Sequence, residues 1–136
     1  MLKRIAFCIV VAALALDAYS QHPAPAAPPA SPPVKRTIIQ RTDVPGTNLE
    51  VISANVEIAA GFKAGRHNHP GVVVGFVADG DFWIKVDGQP EQVLRVGESV
   101  TLPDRVVHDE GAGAKPARLY VIYVLEKGKP LATPAQ

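Results

Sequence analysis

The chain has almost no cysteine. Its single thiol, Cys8, lies in an apolar run close to the N-terminus. A folded domain downstream therefore has no disulfide, no thiolate nucleophile and no thiolate metal ligand. Charge is equally sparse in its imbalance, a formal net of +1 at pH 7. Without a Lys/Arg cluster there is no electrostatic footprint for nucleic acid and no polybasic segment for an anionic membrane. Beyond the N-terminal run, no window repeats with a helical period. No glycine-rich phosphate loop, nucleophile elbow or paired carboxylate is present. Between Arg66 and Ala78 there is no Asp or Glu at all.

The N-terminal twenty residues read as a secretory signal peptide. Lys3 and Arg4 form a basic start, Ile5 to Leu16 an apolar centre, and Ala18-Tyr19-Ser20 a small-residue cleavage site. The apolar run is shorter than the roughly 20 residues that span a bilayer. Cleavage after Ser20 would remove Lys3, Arg4 and Asp17, and the formal charge would become zero. The expected location is periplasmic or secreted, with no membrane contact after cleavage. Residues 21–36 read as a linker, because His22 to Pro33 is almost entirely Pro and Ala and favours polyproline II. His22 falls in this tether and is set aside as a ligand. Residues 130–136 read as a flexible tail. One domain, residues 37–129, is left, with a modest core.

That domain is dominated by strand signals. Leu49 to Ile58 alternates with a period of two, as do Phe82 to Val86 and Ser99 to Leu102. Val72 to Val77 is β-branched and aromatic. Leu119 to Leu125 reads as a strand buried on both faces. Asp79-Gly80 and Asp87-Gly88 read as hairpin turns, Val96-Gly97-Glu98 as another turn, and Gly111 to Lys115 as a loop. Many short strands imply an all-β sandwich or barrel, and a jelly roll leaves room for an internal site.

Against this background the histidines stand out. The chain has four. His67 and His69 are one residue apart in strand-like sequence, so their side chains share a face. Neutral imidazole is the commonest protein metal ligand. With His108 as a distant third ligand, the pair has the makings of a metal site on a sheet.

The spacings resemble those of the cupin superfamily, in particular its small single-domain bacterial members. Gly61 is followed by five residues and His67-Asn68-His69; three residues then lead to Val73 and six more to Gly80. Gly97 is followed by five residues, Pro103, Arg105, two residues and His108. The resemblance implies an all-β double-stranded β-helix, a jelly-roll barrel, with a divalent metal (Fe, Mn, Zn, Ni or Cu) on His67, His69 and His108. It also implies a homodimer.

Three family positions differ. Val73 stands where a carboxylate ligand is expected, Arg105 where a turn glycine is, and Ala112 where an asparagine is. Three outcomes are open at the first. The site can be a three-histidine centre with open positions, suited to an anionic small-molecule ligand because neutral ligands leave the full metal charge. A substitute carboxylate can come from Glu110 or the more remote Glu57, both of which read first as solvated surface charges. Or the site can have decayed to packed histidines. Asp109 is a surface charge or an outer partner of an imidazole. Phe76, Phe82 and Trp83 read as core and dimer contacts. The expected function is an exported metal-binding cupin of oxygenase or isomerase type, with no general base assignable. The alternative is a periplasmic metal- or small-ligand-binding module without turnover.

Overall fold

The structure, a computed structural model, describes residues 32–136. The expected signal peptide and most of the expected linker lie outside the described residues. Eight strands and no helix are found within them: β1 (Val34–Asp43), β2 (Leu49–Ile58), β3 (His67–Asn68), β4 (Gly71–Val86), β5 (Gln92–Leu94), β6 (Ser99–Leu102), β7 (His108–Glu126) and β8 (Thr133–Pro134).

Two long strands organise the rest. β4 and β7 run antiparallel along almost their whole length, from Gly71 opposite Leu125 to Val86 opposite His108. The pairing shifts register on both sides of Gly80. Each strand is thereby divided between two walls. One wall is β1, β2, the second half of β7, the first half of β4, and β6. The other is β8, β3, the first half of β7, the second half of β4, and β5. Apolar side chains from both walls fill the space between, including Ile52, Val56 and Ile58 of β2, Phe82 and Ile84 of β4, and Leu119 and Leu125 of β7. This is the expected all-β jelly roll.

Four local expectations differ from the structure, each for a physical reason. Asp79-Gly80 is not a hairpin turn but a bend inside β4, because β7 supplies a continuous partner. Gly80 takes φ +82°, and a Cβ there would lie 1.7 Å from the Pro116 carbonyl oxygen, so the strands cross too closely for a side chain. Gly111 to Lys115 is strand rather than loop for the same reason, with Gly111 opposite Trp83 and Ala112 opposite Phe82. Leu119 to Leu125 is buried on one face, since none of the described residues forms a second layer over the outer side; Tyr120 is 50% exposed. Finally, β1 begins at Val34, three residues before the expected domain start, because Val34, Lys35 and Arg36 extend the ladder to Ile58, Glu57 and Val56.

Candidate metal centre

His67 and His108 face one another directly in the single pair that joins β3 to β7. His69 follows two residues after His67, beyond the end of β3, and Asn68 between them turns away and is half-buried. Arg105 donates its backbone N–H to the His69 carbonyl at 2.9 Å and takes φ 57° to do so. Its guanidinium donates to Glu126 at 2.8 Å. The side chain that replaces the turn glycine thus stays outside and braces the loop. All three histidines are buried; His108 has no solvent exposure. Their ring centroids lie 4.3–5.1 Å apart, and one ring nitrogen from each falls within 4.8 Å of the others.

Each imidazole is oriented from behind. His67 Nδ1 lies 2.7 Å from the Gly65 carbonyl, His69 Nδ1 2.5 Å from the Leu131 carbonyl, and His108 Nδ1 3.0 Å from the Val106 carbonyl. A carbonyl oxygen only accepts, so each Nδ1 carries the proton and each Nε2 is left with a lone pair. Nε2 of His67 and of His108 are buried without any hydrogen-bond partner. Buried polar atoms are normally satisfied, so a convergent set of unsatisfied lone pairs fits a cation. Metal–imidazole bonds of about 2.0–2.1 Å would draw the three nitrogens closer together than the 4.8 Å within which they lie here. Among the described residues, no carboxylate joins this cluster.

Burial also tunes the ligands. It pulls His69 down to about 4 against the opposing effect of its Leu131 hydrogen bond. It lowers His108 as well, with the Val106 carbonyl opposing. Both rings are therefore neutral at pH 7, the form that binds metal.

Beside the histidines lies an enclosed cavity between the two walls. It is lined by Val56, Ile58, Val73, Gly75, Val100, Leu102, Leu119 and Val121 from one wall and by His69, Phe82 and Glu110 from the other side, with Tyr123 beside His69. About 20 Å³ is open to the centre of a water molecule, room for about one ordered water. Val73 is buried in this lining at 4% exposure, so the family's carboxylate position is an apolar wall.

Glu110 differs from expectation. It is not a solvated surface charge: it shares the inner face of β7 with His108 and lines the cavity. Burial pushes its carboxyl up, against the opposing charges of His67 and Arg36. The spacing of two from His108 signalled this, once residues 108–112 are known to be strand. Glu57 is exposed and pairs with Lys35, far from this role. Asp109 accepts from the Gly65 N–H at 2.9 Å and the Glu110 N–H at 2.8 Å. It therefore fixes the loop whose carbonyl holds His67. Phe82 is buried in the lining, Trp83 is half-buried against Gly111, and Phe76 is exposed on the outer face.

Residues 130–136, expected as a flexible tail, carry β8, which pairs with β3 at His67 and Asn68. The tail also supplies the Leu131 carbonyl to His69. Sequence reasoning passed over this because a backbone acceptor leaves no trace in residue type. Truncation after Lys129 should weaken zinc binding by about 10–100-fold in a chelator competition titration, the usual cost of losing an outer partner. Unchanged affinity would show that the tail does not orient His69. Acidity supplies a second test. The unfolded chain holds a proton on His69 below pH 6.5 and the folded chain only below about 4. Stability of metal-free protein should thus be complete above pH 6.5 and decline toward pH 4, by roughly 3 kcal/mol from His69. Urea unfolding at pH 7 and pH 4.5 measures it; greater stability at pH 4.5 would contradict the burial of these rings.

Comparison with known proteins places this geometry. A family model of the cupin domain matches residues 54–123. Among curated proteins, no sequence matches the chain. A cupin-like protein from Thermotoga maritima superposes with a TM-score of 0.59 at 25% identity, over 75% of each chain. KdgF from Halomonas sp. gives 0.59 at 19% identity, over 69% of this chain and 82% of that one. The DMSP lyase DddQ from Ruegeria pomeroyi gives 0.59 at 20% identity, over 62% of this chain. The match spans only 43% of that lyase. The last two likenesses are of fold. With the family model covering Ala54 to Tyr123 and three buried histidines set between the walls of a jelly roll, the chain belongs to the cupin family.

Proposed function

We propose that this protein is an exported, metal-dependent cupin that binds and transforms a small molecule at a centre made by His67, His69 and His108. One observation carries the reading. Three buried imidazoles, each with Nδ1 committed to a carbonyl, turn their remaining nitrogens toward a common point beside an enclosed cavity. A divalent ion held there would supply Lewis acidity to a ligand occupying its open positions. The chain's own residues do the rest. The largely apolar lining keeps bulk water out, leaves room for about one ordered water and so restricts the site to a very small ligand. Glu110, with its carboxyl pushed up by burial, is the group in the cavity suited to take or give a proton. This favours proton-transfer chemistry, as in an isomerase, over a purely storage role.

Elemental analysis of purified protein and four variants tests the centre. About one metal per chain is expected in the wild type. His67→Ala, His69→Ala and His108→Ala should each lose it, with affinity falling beyond the roughly 10–100-fold of an outer partner. Glu110→Gln should keep full occupancy, since its carboxyl stands outside the nitrogen cluster. Metal retained by all three alanine variants would sink the assignment. Loss in Glu110→Gln would instead make Glu110 a ligand.

Export and a homodimer are parts of the same proposal. The basic start, apolar centre and small-residue cleavage site support the first. Val72, Phe76, Tyr120 and Ile122, all exposed on the outer face of one wall, support the second. Native mass spectrometry of protein released from the periplasm should find two chains, each beginning at Gln21. A monomer, or chains that begin at Met1, would refute the corresponding part.

A further inference from the structure

β5 is the edge of one wall and β6 the edge of the other, and each pairs only with β4. In the seam between these two edges lies a groove of about 350 Å³. Its apolar lining is Ile84 and Val86 of β4, Val100 and Leu102 of β6, and Pro103 and Val106 from the turn into β7. Gln92 of β5 stands directly opposite Ile84, and directly opposed residues share a face of the sheet. The groove therefore opens on the inner side of the fold. Val86 and Ile84 are in turn directly opposite His108 and Glu110 on β7. One strand spacing, about 5 Å, separates the groove's lining from the strand that carries His108. Val100 and Leu102 also line the enclosed cavity, so these side chains part the two spaces.

We propose that this groove binds an uncharged small molecule with a compact apolar body and a hydroxyl or carbonyl group at one end. Size is the first reason. The enclosed cavity has room for about one water, whereas the groove falls within the roughly 300–1,000 Å³ of small-molecule clefts. Charge is the second. Asp87 is the one charged residue in the lining, and its carboxylate already holds Arg66 at 2.5 Å. A charged ligand would therefore lie against aliphatic side chains without a partner. Unspent apolar surface is the third: Val86, Val100 and Val106 are only half-buried. Gln89 and Gln92 complete the lining, and their amides can both donate to a carbonyl and accept from a hydroxyl. The site goes beyond the reading of the histidines as a metal centre and does not depend on it.

Methyl NMR of the full-length protein as purified, titrated with α-naphthol at pH 7, tests this. The probe is an uncharged hydroxyl on an apolar body, and α-naphthoate offers the same rings with a negative charge. Naphthol should give saturable shifts at the methyls of Ile84, Val86, Val100 and Val106. Naphthoate should bind about ten-fold more weakly or worse, the loss expected for a charge left without a partner. Gln92→Trp sets a large side chain on the Ile84 face of β5 and should weaken naphthol by about ten-fold or more. Val93→Trp, at an exposed position on the opposite face of the same strand, should bind as wild type does. The proposal is overturned if those methyls show no saturable shifts, or if the shifts gather at Val72 and Ile122 on the outer face. It is overturned equally if naphthoate binds as tightly as naphthol, or if a folded Gln92→Trp stays within about two-fold of wild type. Should Gln92→Trp not fold, the wild-type shift map and the naphthoate comparison decide. The readout involves no metal, so the result stands whether or not the histidines hold one.

Discussion

The hydrogen bond between each buried Nδ1 and a backbone carbonyl governs the site. It fixes the tautomer and the ring plane together, and it leaves the other nitrogen of each ring facing its neighbours. The acceptors come from three separate places: Gly65 just before β3, Val106 just before β7, and Leu131 in the C-terminal segment. The loop before β3, the turn into β7 and the tail must all be seated before three lone pairs converge. Folding and metal binding are thereby tied to the same set of backbone contacts.

The walls contribute a different constraint. Because β4 and β7 each pass through both walls, the cavity is closed by strands that also make the longest ladder in the molecule. Gly80 allows the two to cross within contact of the Pro116 carbonyl. His108 and Glu110 then stand on the inner face of one half of β7, and Leu119, Val121 and Tyr123 on the inner face of the other. Glu110 on one side of the cavity and Leu119 and Val121 on the other thus come from two halves of one strand. Val73 makes that lining apolar where the family pattern would place a carboxylate, and Glu110 puts a carboxyl back from the opposite wall.

Much of this was legible in the sequence. The period-two runs at Leu49 to Ile58 and Ser99 to Leu102 mark β2 and β6 at their full extents. The spacing of His67, His69 and His108 marked three residues that the fold brings together. What was hidden has a common cause. Arg36 follows a Pro-rich stretch and reads as linker; only its pairing with Val56 makes it part of β1. Glu110 reads as surface because burial of a carboxylate is costly, and the strand that buries it continues with Gly111-Ala112-Gly113-Ala114, two glycines and two alanines that mimic a loop. The Leu131 carbonyl could not be read at all, since every residue has one. Local patterning reveals periodicity and residue chemistry, whereas long-range backbone pairing decides which polar groups meet.

The central claim is that three neutral imidazoles, and no carboxylate of this chain, hold the metal. X-ray absorption at the zinc edge of the zinc-loaded protein tests it most directly. The account predicts three imidazole nitrogens at about 2.0–2.1 Å, with any remaining oxygen ligand exchangeable for an added small anion. A spectrum with fewer than three imidazoles, or with an oxygen ligand that disappears in Glu110→Gln, would contradict it.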